Sequence, residues 1–322
     1  MRSKIFAALT VAGIMMAGMA PAQDYPNGPV TLLHGFAPGG SADTVARLLA
    51  GPLSERLGVP VVVESKTGAG GTLASATLAQ AAPDGQTIGL VTGGHAVAAG
   101  LYASLPYDTV ADFTWLSTVV EFDFMLAVPA DSPFQTLGDL LAAAKDAPGD
   151  IAFGSAGVGT THHLTGLLLG SMAGVELEHV PYRGEAAAIT GLLGGEIPLI
   201  IAGPVTLEPQ IKAGALRALA VTSDQRWDGM PDVPTVAEAG VPGFNVVSWH
   251  GIAAPAGLPP SIEDRLRTAI TEVLAEPDVK QAIESTVGGT VVLSSGEEMH
   301  DRVVADVARW TEVIEGAGLE KQ

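Results

Sequence analysis

Phe36-Ala37-Pro38-Gly39-Gly40-Ser41-Ala42-Asp43 lies between a short apolar run, Val30-Thr31-Leu32-Leu33, and a stretch in which Val45, Leu48, Leu49, Leu53 and Leu57 recur at helical spacing. The pattern is a buried strand, a glycine turn and an amphipathic helix. Two adjacent glycines leave the turn backbone uncovered by side chains, and Ser41 is a suitable N-cap. First-turn N–H groups have no intrahelical partner, so such a turn accepts an anion without a basic residue. The plain alternative is a strand-to-helix connection in which glycine only relieves strain. Gly51-Pro52, deep in the apolar pattern, predicts a kink or a split, because proline removes the bond to residue 48.

The same unit recurs. Val59–Glu64 reads as a strand before Gly68-Ala69-Gly70-Gly71-Thr72, and Thr87–Val91 as another before Gly93-Gly94. From Met125 a second series has strands near 125–128, 151–153, 177–180, 197–201 and 216–221, with a helix near 136–147. The strand at 151–153 runs into a small-residue turn, Gly154 to His163, with Thr160 or Thr161 as the helix cap. Gly203-Pro204 opens a helix after 197–201, proline being tolerated in a first turn. Such units predict parallel sheets with helices on their faces and ligands beyond the carboxyl ends of the strands. A strand over 245–254 returns to the first domain. The remainder is helical over 261–274, 278–284 and 297–315, with one strand near 290–293. The expected architecture is two α/β domains joined by two crossing strands. Residues 23–123 with 247–322 form lobe I, and 124–246 form lobe II.

Composition sets the compartment and excludes partners. Arg2 and Lys4, the uncharged run Ile5–Met19 and Ala20-Pro21-Ala22 form an export signal over residues 1–22, cleaved after about Ala22. No lipid-accepting cysteine follows it, and the absence of cysteine means an exported fold that needs no disulfide. The chain carries a net charge of −19, which becomes −21 once Arg2 and Lys4 leave with the signal. That sign disfavours nucleic acid and anionic membranes. An anionic ligand would bind against the field of the whole protein, so local donors must hold it.

Enzyme motifs fail on inspection. Gly35 to Gly40 has phosphate-loop spacing, but Ser41-Ala42 stands where Lys-Ser/Thr is required. Gly68–Leu73 lacks the third glycine of a dinucleotide fingerprint, and Phe153 and Gly157 flank Ser155 where a nucleophile elbow needs two glycines. His162 and His163 diverge by about 100° on a helix and cannot share a metal. What remains at the predicted strand ends is small and polar: Ser41, Thr92, Ser155, Thr160, Thr161 and His162, with the glycine turns. His162 reads as a polar pocket wall or as an ordinary neighbour of His163. Arg183 reads either as a cation for a carboxylate or as half of an ion pair between lobes. Hydroxyls and amide N–H groups hold a carboxylate by charge-assisted hydrogen bonds, yet supply no nucleophile with a base. That favours binding over catalysis.

These pieces, in this order, resemble the Bug family, the periplasmic solute-binding proteins of tripartite tricarboxylate transporters. The resemblance rests on Ala37-Pro38-Gly39-Gly40-Ser41-Ala42-Asp43-Thr44-Val45-Ala46-Arg47, Gly68-Ala69-Gly70-Gly71, Ala82-Pro83-Asp84-Gly85 and Leu105-Pro106-Tyr107-Asp108. It continues through His179-Val180-Pro181-Tyr182-Arg183-Gly184, Leu216–Thr222 and Pro231–Gly240. It implies a two-lobed periplasmic binding protein fold, type II-like, that closes on a small organic acid and delivers it to membrane subunits. It also implies no enzyme activity, no cofactor and no metal, and a monomer is expected. The carboxylate would lie between the Pro38–Ser41 loop and the Ser155–His162 loop. The expected ligand-binding set is Pro38, Gly39, Gly40, Ser41, Thr92, Ser155, Gly157, Thr160, Thr161, His162, Arg183 and Gly203. An extracytoplasmic sensor is the alternative output, and an exported hydrolase the third. Glu185 departs from the family, which commonly has a second glycine there. Facing the cleft, it would repel a second carboxylate or pair with an amine; facing solvent, it would not bear on ligand choice.

Overall fold

The first strand–turn–helix unit carries the frame. β1 (Val30–His34) leads through the glycine turn into α1 (Ser41–Leu57). Side chains alternate along β1, so Leu32 and His34 face α1 while Leu33 faces the opposite core. Leu49, Leu53 and Leu57 of α1 are buried, and burying each such side chain is worth about 1.5–3 kcal/mol. The three together exceed the roughly 3 kcal/mol cost of an interior proline. Accordingly α1 runs through Pro52 as one helix, and the expected split does not occur.

The computed structural model describes residues 25–319 and 321; the expected export signal and its cleavage point lie outside the described residues. After α1 come β2 (Val61–Ser65), α2 (Thr72–Ala79), β3 (Thr87–Thr92), α3 (Gly94–Leu101) and β4 (Phe113–Asp123). The second series is β5 (Met125–Pro129), α4 (Leu137–Asp146), β6 (Ala152–Ser155), α5 (Thr161–Ala173), β7 (Glu178–Pro181), α6 (Glu185–Leu193), β8 (Leu199–Ala202), α7 (Pro204–Lys212) and β9 (Leu216–Val221). The chain then returns through β10 (Val247–Pro255), α8 (Pro260–Leu274), α9 (Pro277–Val287), β11 (Thr290–Val291) and α10 (Gly296–Gly316).

Among the described residues, one sheet has the order β11-β4-β10-β3-β1-β2 and the other β7-β6-β8-β5-β9. β1, β2 and β3 are parallel, as are β6, β7 and β8. β10 runs antiparallel to β3 and β4, and β5 antiparallel to β8 and β9, so both sheets are mixed. One element escapes the sequence pattern: β4 is buried along nearly its whole length and shows no alternation. α3, the helix of the third strand–glycine–helix unit, is alanine-rich and buried almost all round.

The lobes are joined where β4 passes into β5 and where the chain after β9 passes into β10. Thr222 ties these crossings together. Its Oγ1 accepts from the Phe124 N–H and donates to the Val246 carbonyl, both at 2.8 Å. Its own N–H donates to the Phe124 carbonyl, and its carbonyl accepts from the Val246 N–H. Thr222, Phe124 and Val246 are fully buried.

Candidate functional site

On the lobe I side, Ala37 to Ser41 are exposed at the carboxyl end of β1. The cap of α1 is Gly40, not Ser41, and no side chain of the cap reaches the first-turn N–H groups. Gly39 takes the left-handed conformation, with φ of 83°, that lets the turn close. Asp43 holds this turn from beneath. Its Oδ2 accepts from the Gly39 N–H at 2.9 Å and from Arg47 Nε at 3.0 Å, while Oδ1 lies 3.1 Å from the buried His34 Nε2. The Arg47 hydrogen bond, with help from Gly39, keeps the Asp43 carboxyl below its ordinary range despite burial.

Ser41 is the first residue of the helix, and its Oγ lies 3.3 Å from His250 Nε2. His250 Nδ1 is 3.1 Å from the Trp249 carbonyl, which can only accept, so Nδ1 carries the ring proton and Nε2 accepts from Ser41. Burial pushes His250 down to about 4. The pair is therefore a Ser–His contact without catalytic character: the ring is held neutral, and its second nitrogen is fixed by a main-chain carbonyl and not by a carboxylate. His250 stands opposite Thr92 in the β3–β10 ladder, which brings Thr92 to the same edge.

On the lobe II side, several of the expected residues are occupied in shaping their own turn. Ser155 Oγ accepts from the Gly157 N–H at 3.1 Å, donates to the Gly157 carbonyl, and meets His179 Nε2 at 2.7 Å. His179 stacks on His163 with ring centroids 3.9 Å apart. Burial lowers these rings to about 3 and about 4, so both are neutral at pH 7. Thr160 caps α5, accepting from the His163 N–H and donating to the Gly157 carbonyl. Thr161 turns the other way: its Oγ1 lies 3.4 Å from Ser248 Oγ on β10.

The two edges meet. A methyl group placed on Gly93 would come within 3.0 Å of Thr161 Oγ1, and one on Gly70 within 3.6 Å of the Val158 carbonyl oxygen. His162 of α5 packs on Phe124 at 4.1 Å between centroids, Phe124 on Phe122 at 5.8 Å, and Phe122 on His250 at 4.9 Å. A continuous set of side chains thus links Ser41 to His162.

His162 Nε2 donates to Glu185 Oε1 at 2.6 Å. The same oxygen accepts from the Gly203 N–H at 3.1 Å, and Oε2 accepts from Thr206 Oγ1 at 2.9 Å. Burial acts to raise the Glu185 carboxyl, but His162, Thr206 and Gly203 together outweigh it and hold the group below its ordinary value. Glu185 therefore belongs to the polar cluster around His162 and Gly203, which its exposure in the sequence pattern could not decide. Arg183, two residues away, is exposed and forms no ion pair among the described residues, so the interlobe pairing does not occur.

The model of the tripartite tricarboxylate transporter receptor family matches residues 45–319. The chain belongs to that family. BugT of Bordetella pertussis is 34% identical over 319 residues, covering 97% of this chain and 98% of BugT. Among solved structures, R. palustris Rpa4515 with adipate shares 34% identity at a TM-score of 0.83, covering 92% of this chain and 99% of that one. MatC of Rhodopseudomonas palustris with bound malate shares 31% at 0.82, over 90% and all of that chain. The receptor is thus a two-lobed solute-binding protein and not an enzyme, of the Bug kind that the sequence motifs indicated.

His250, Ser248 and Thr206 are the site neighbours that sequence reasoning missed in this receptor. His250 had a weak signal, since a histidine at the start of a returning strand falls at the same sheet edge as the glycine turns. Ser248 and Thr206 had none, because neither stands in a turn motif.

Proposed function

We propose that this receptor closes its lobes on a small organic acid in the periplasm and passes it to the membrane subunits of a tripartite tricarboxylate transporter. Lobe I comprises residues 23–123 and 247–322, lobe II residues 124–246, and export removes the segment through about Ala22. One carboxylate of the ligand sits between Pro38–Ser41 and the start of α5, where Thr161 meets Ser248 of lobe I and His162 follows it. Thr92, Gly157 and Gly203 border the same space, and Arg183 acts at its rim.

The observation that carries this reading is the uncapped first turn of α1, joined through Ser41 and His250 to the Phe122–Phe124–His162 path. Donors at a helix start favour an anion locally, even in a protein with a charge of −19. The adipate and malate found with the two solved relatives support a carboxylate as the ligand. The receptor acts as a monomer.

Gly40→Val tests it. Gly40 has an ordinary extended backbone, and an added methyl would meet only the Ala37 carbonyl at 3.4 Å, so the fold accommodates the side chain. The bulk then blocks approach of an anion to the turn. The expected result is a loss of affinity on the order of tenfold or more, about 1.4 kcal/mol, at an almost unchanged melting temperature. Undiminished binding in calorimetry would remove the turn from the site.

A further inference from the structure

Glu185 places a carboxylate against His162 and Gly203, two residues of the proposed carboxylate site. It accepts three hydrogen bonds, from His162, from the Gly203 N–H at the cap of α7, and from Thr206 in the first turn of that helix. The seat for an anion at the start of α7 is therefore taken by the protein's own side chain. The Glu185 side chain is still 23% exposed, so its field reaches a bound guest.

Two lobe II hydroxyls near this end are committed. Ser155 is bonded to Gly157 and His179, and Thr160 to Gly157. The nearest arginine in sequence, Arg183, is exposed. A ligand reaching from the lobe I turn toward α7 meets a negative charge with its donors already used. An ammonium or hydroxyl at that end would find an acceptor; a second carboxylate would meet repulsion from the Glu185 carboxylate.

We propose that Glu185 sets the substrate class: acids with one carboxylate, seated at the α1 turn, and a hydrogen-bond-donating or cationic group at the opposite end, with diacids disfavoured. This rests on the carboxylate-binding reading above. It separates the receptor from the relatives solved with adipate and malate, which are diacids.

The test uses acids matched in length, in two series: hexanoate, 6-aminohexanoate and adipate, then butyrate, 4-aminobutyrate and succinate. Dissociation constants are measured by calorimetry at pH 7.5 for the wild type, Glu185→Gln and Glu185→Asp. In the series that binds, the wild type is expected to prefer the amino acid over the diacid by on the order of tenfold or more. Glu185→Gln keeps an acceptor for Gly203 and is expected to reduce that ratio by about tenfold, while Glu185→Asp, which keeps the charge, retains the preference. A wild type that binds the diacid as tightly as the amino acid, or a ratio unmoved by Glu185→Gln, overturns the proposal and leaves the carboxylate reading standing. Silence of the wild type toward all six acids counts against both. Thermal melts of each variant show that the comparison is made on folded protein.

Discussion

Two helices of this receptor begin at glycines, and a nearby acid treats the donors at each start oppositely. α1 starts at Gly40 with no side-chain cap, and its one acidic neighbour, Asp43, is turned under the turn toward Gly39, Arg47 and His34. α7 starts at Gly203, and Glu185 from α6 reaches over to take the cap N–H and the Thr206 hydroxyl. One acid shapes a turn and leaves its donors outward; the other consumes them. On the proposals above, the same residue chemistry makes one helix start receptive to an anion and the other hostile to it.

The largest expected effect comes from pH, because buried neutral histidines stand behind the α1 turn and behind the lobe II turn at Gly157. Burial holds His95, His163 and His250 at about 4 and His179 at about 3, all below the ordinary value near 6.5. Between those values the unfolded chain binds more protons than the native one, so stability rises with pH and is lost as pH falls from about 6.5 toward 4. Each ring contributes at most about 1.4 kcal/mol per pH unit, and four together amount to several kcal/mol between pH 7 and 5. The carboxyls of Asp123 and Asp306, raised by burial, oppose this in part. Urea midpoints at pH 7, 6 and 5 check it; a flat profile would mean that the histidines under the turns are not held neutral.

Removing each acid's support sharpens the contrast at smaller scale. Asp43→Ala strips a buried histidine, an arginine and the Gly39 N–H of their common partner, and a loss of roughly 2–3 kcal/mol is expected in urea denaturation. Thr206→Ala removes one of three donors to Glu185 and is expected to cost about 1 kcal/mol. If Thr206→Ala proved the more damaging, the seat at α7 would be the structural keystone and the α1 turn the lesser one. The smallest change is expected from Arg183→Ala, within about 0.5 kcal/mol of wild-type stability, because the side chain is exposed without an ion pair. A larger drop would assign it a contact between the lobes.

The frame was legible because repeated strand–glycine–helix units have a strong period and few alternatives. β1, α1, β3 and α7 fall within a residue or two of where their apolar spacing and turn residues put them. β4 was illegible for a physical reason: a strand buried on both faces carries no alternation to reveal its period. Ser41 failed as a cap because its hydroxyl has a partner 209 residues away, and no local rule competes with a tertiary contact of that kind. Glu185 shows the same limit. Its position beside a glycine turn was visible, but which way it pointed depended on Gly203 and Thr206, which the chain brings up only after another strand.

Thr222 has a mechanical consequence. Both passages of the chain between lobes are laced to one another by its hydroxyl, N–H and carbonyl, all buried. The lobes can then swing apart about this lacing with every main-chain polar group at the crossing still satisfied. Elsewhere the lobes touch through side chains, as where Ser248 meets Thr161 at 3.4 Å and the Trp227 indole donates to the Gly288 carbonyl at 3.0 Å. Any parting of the lobes therefore breaks side-chain contacts and leaves the lacing whole.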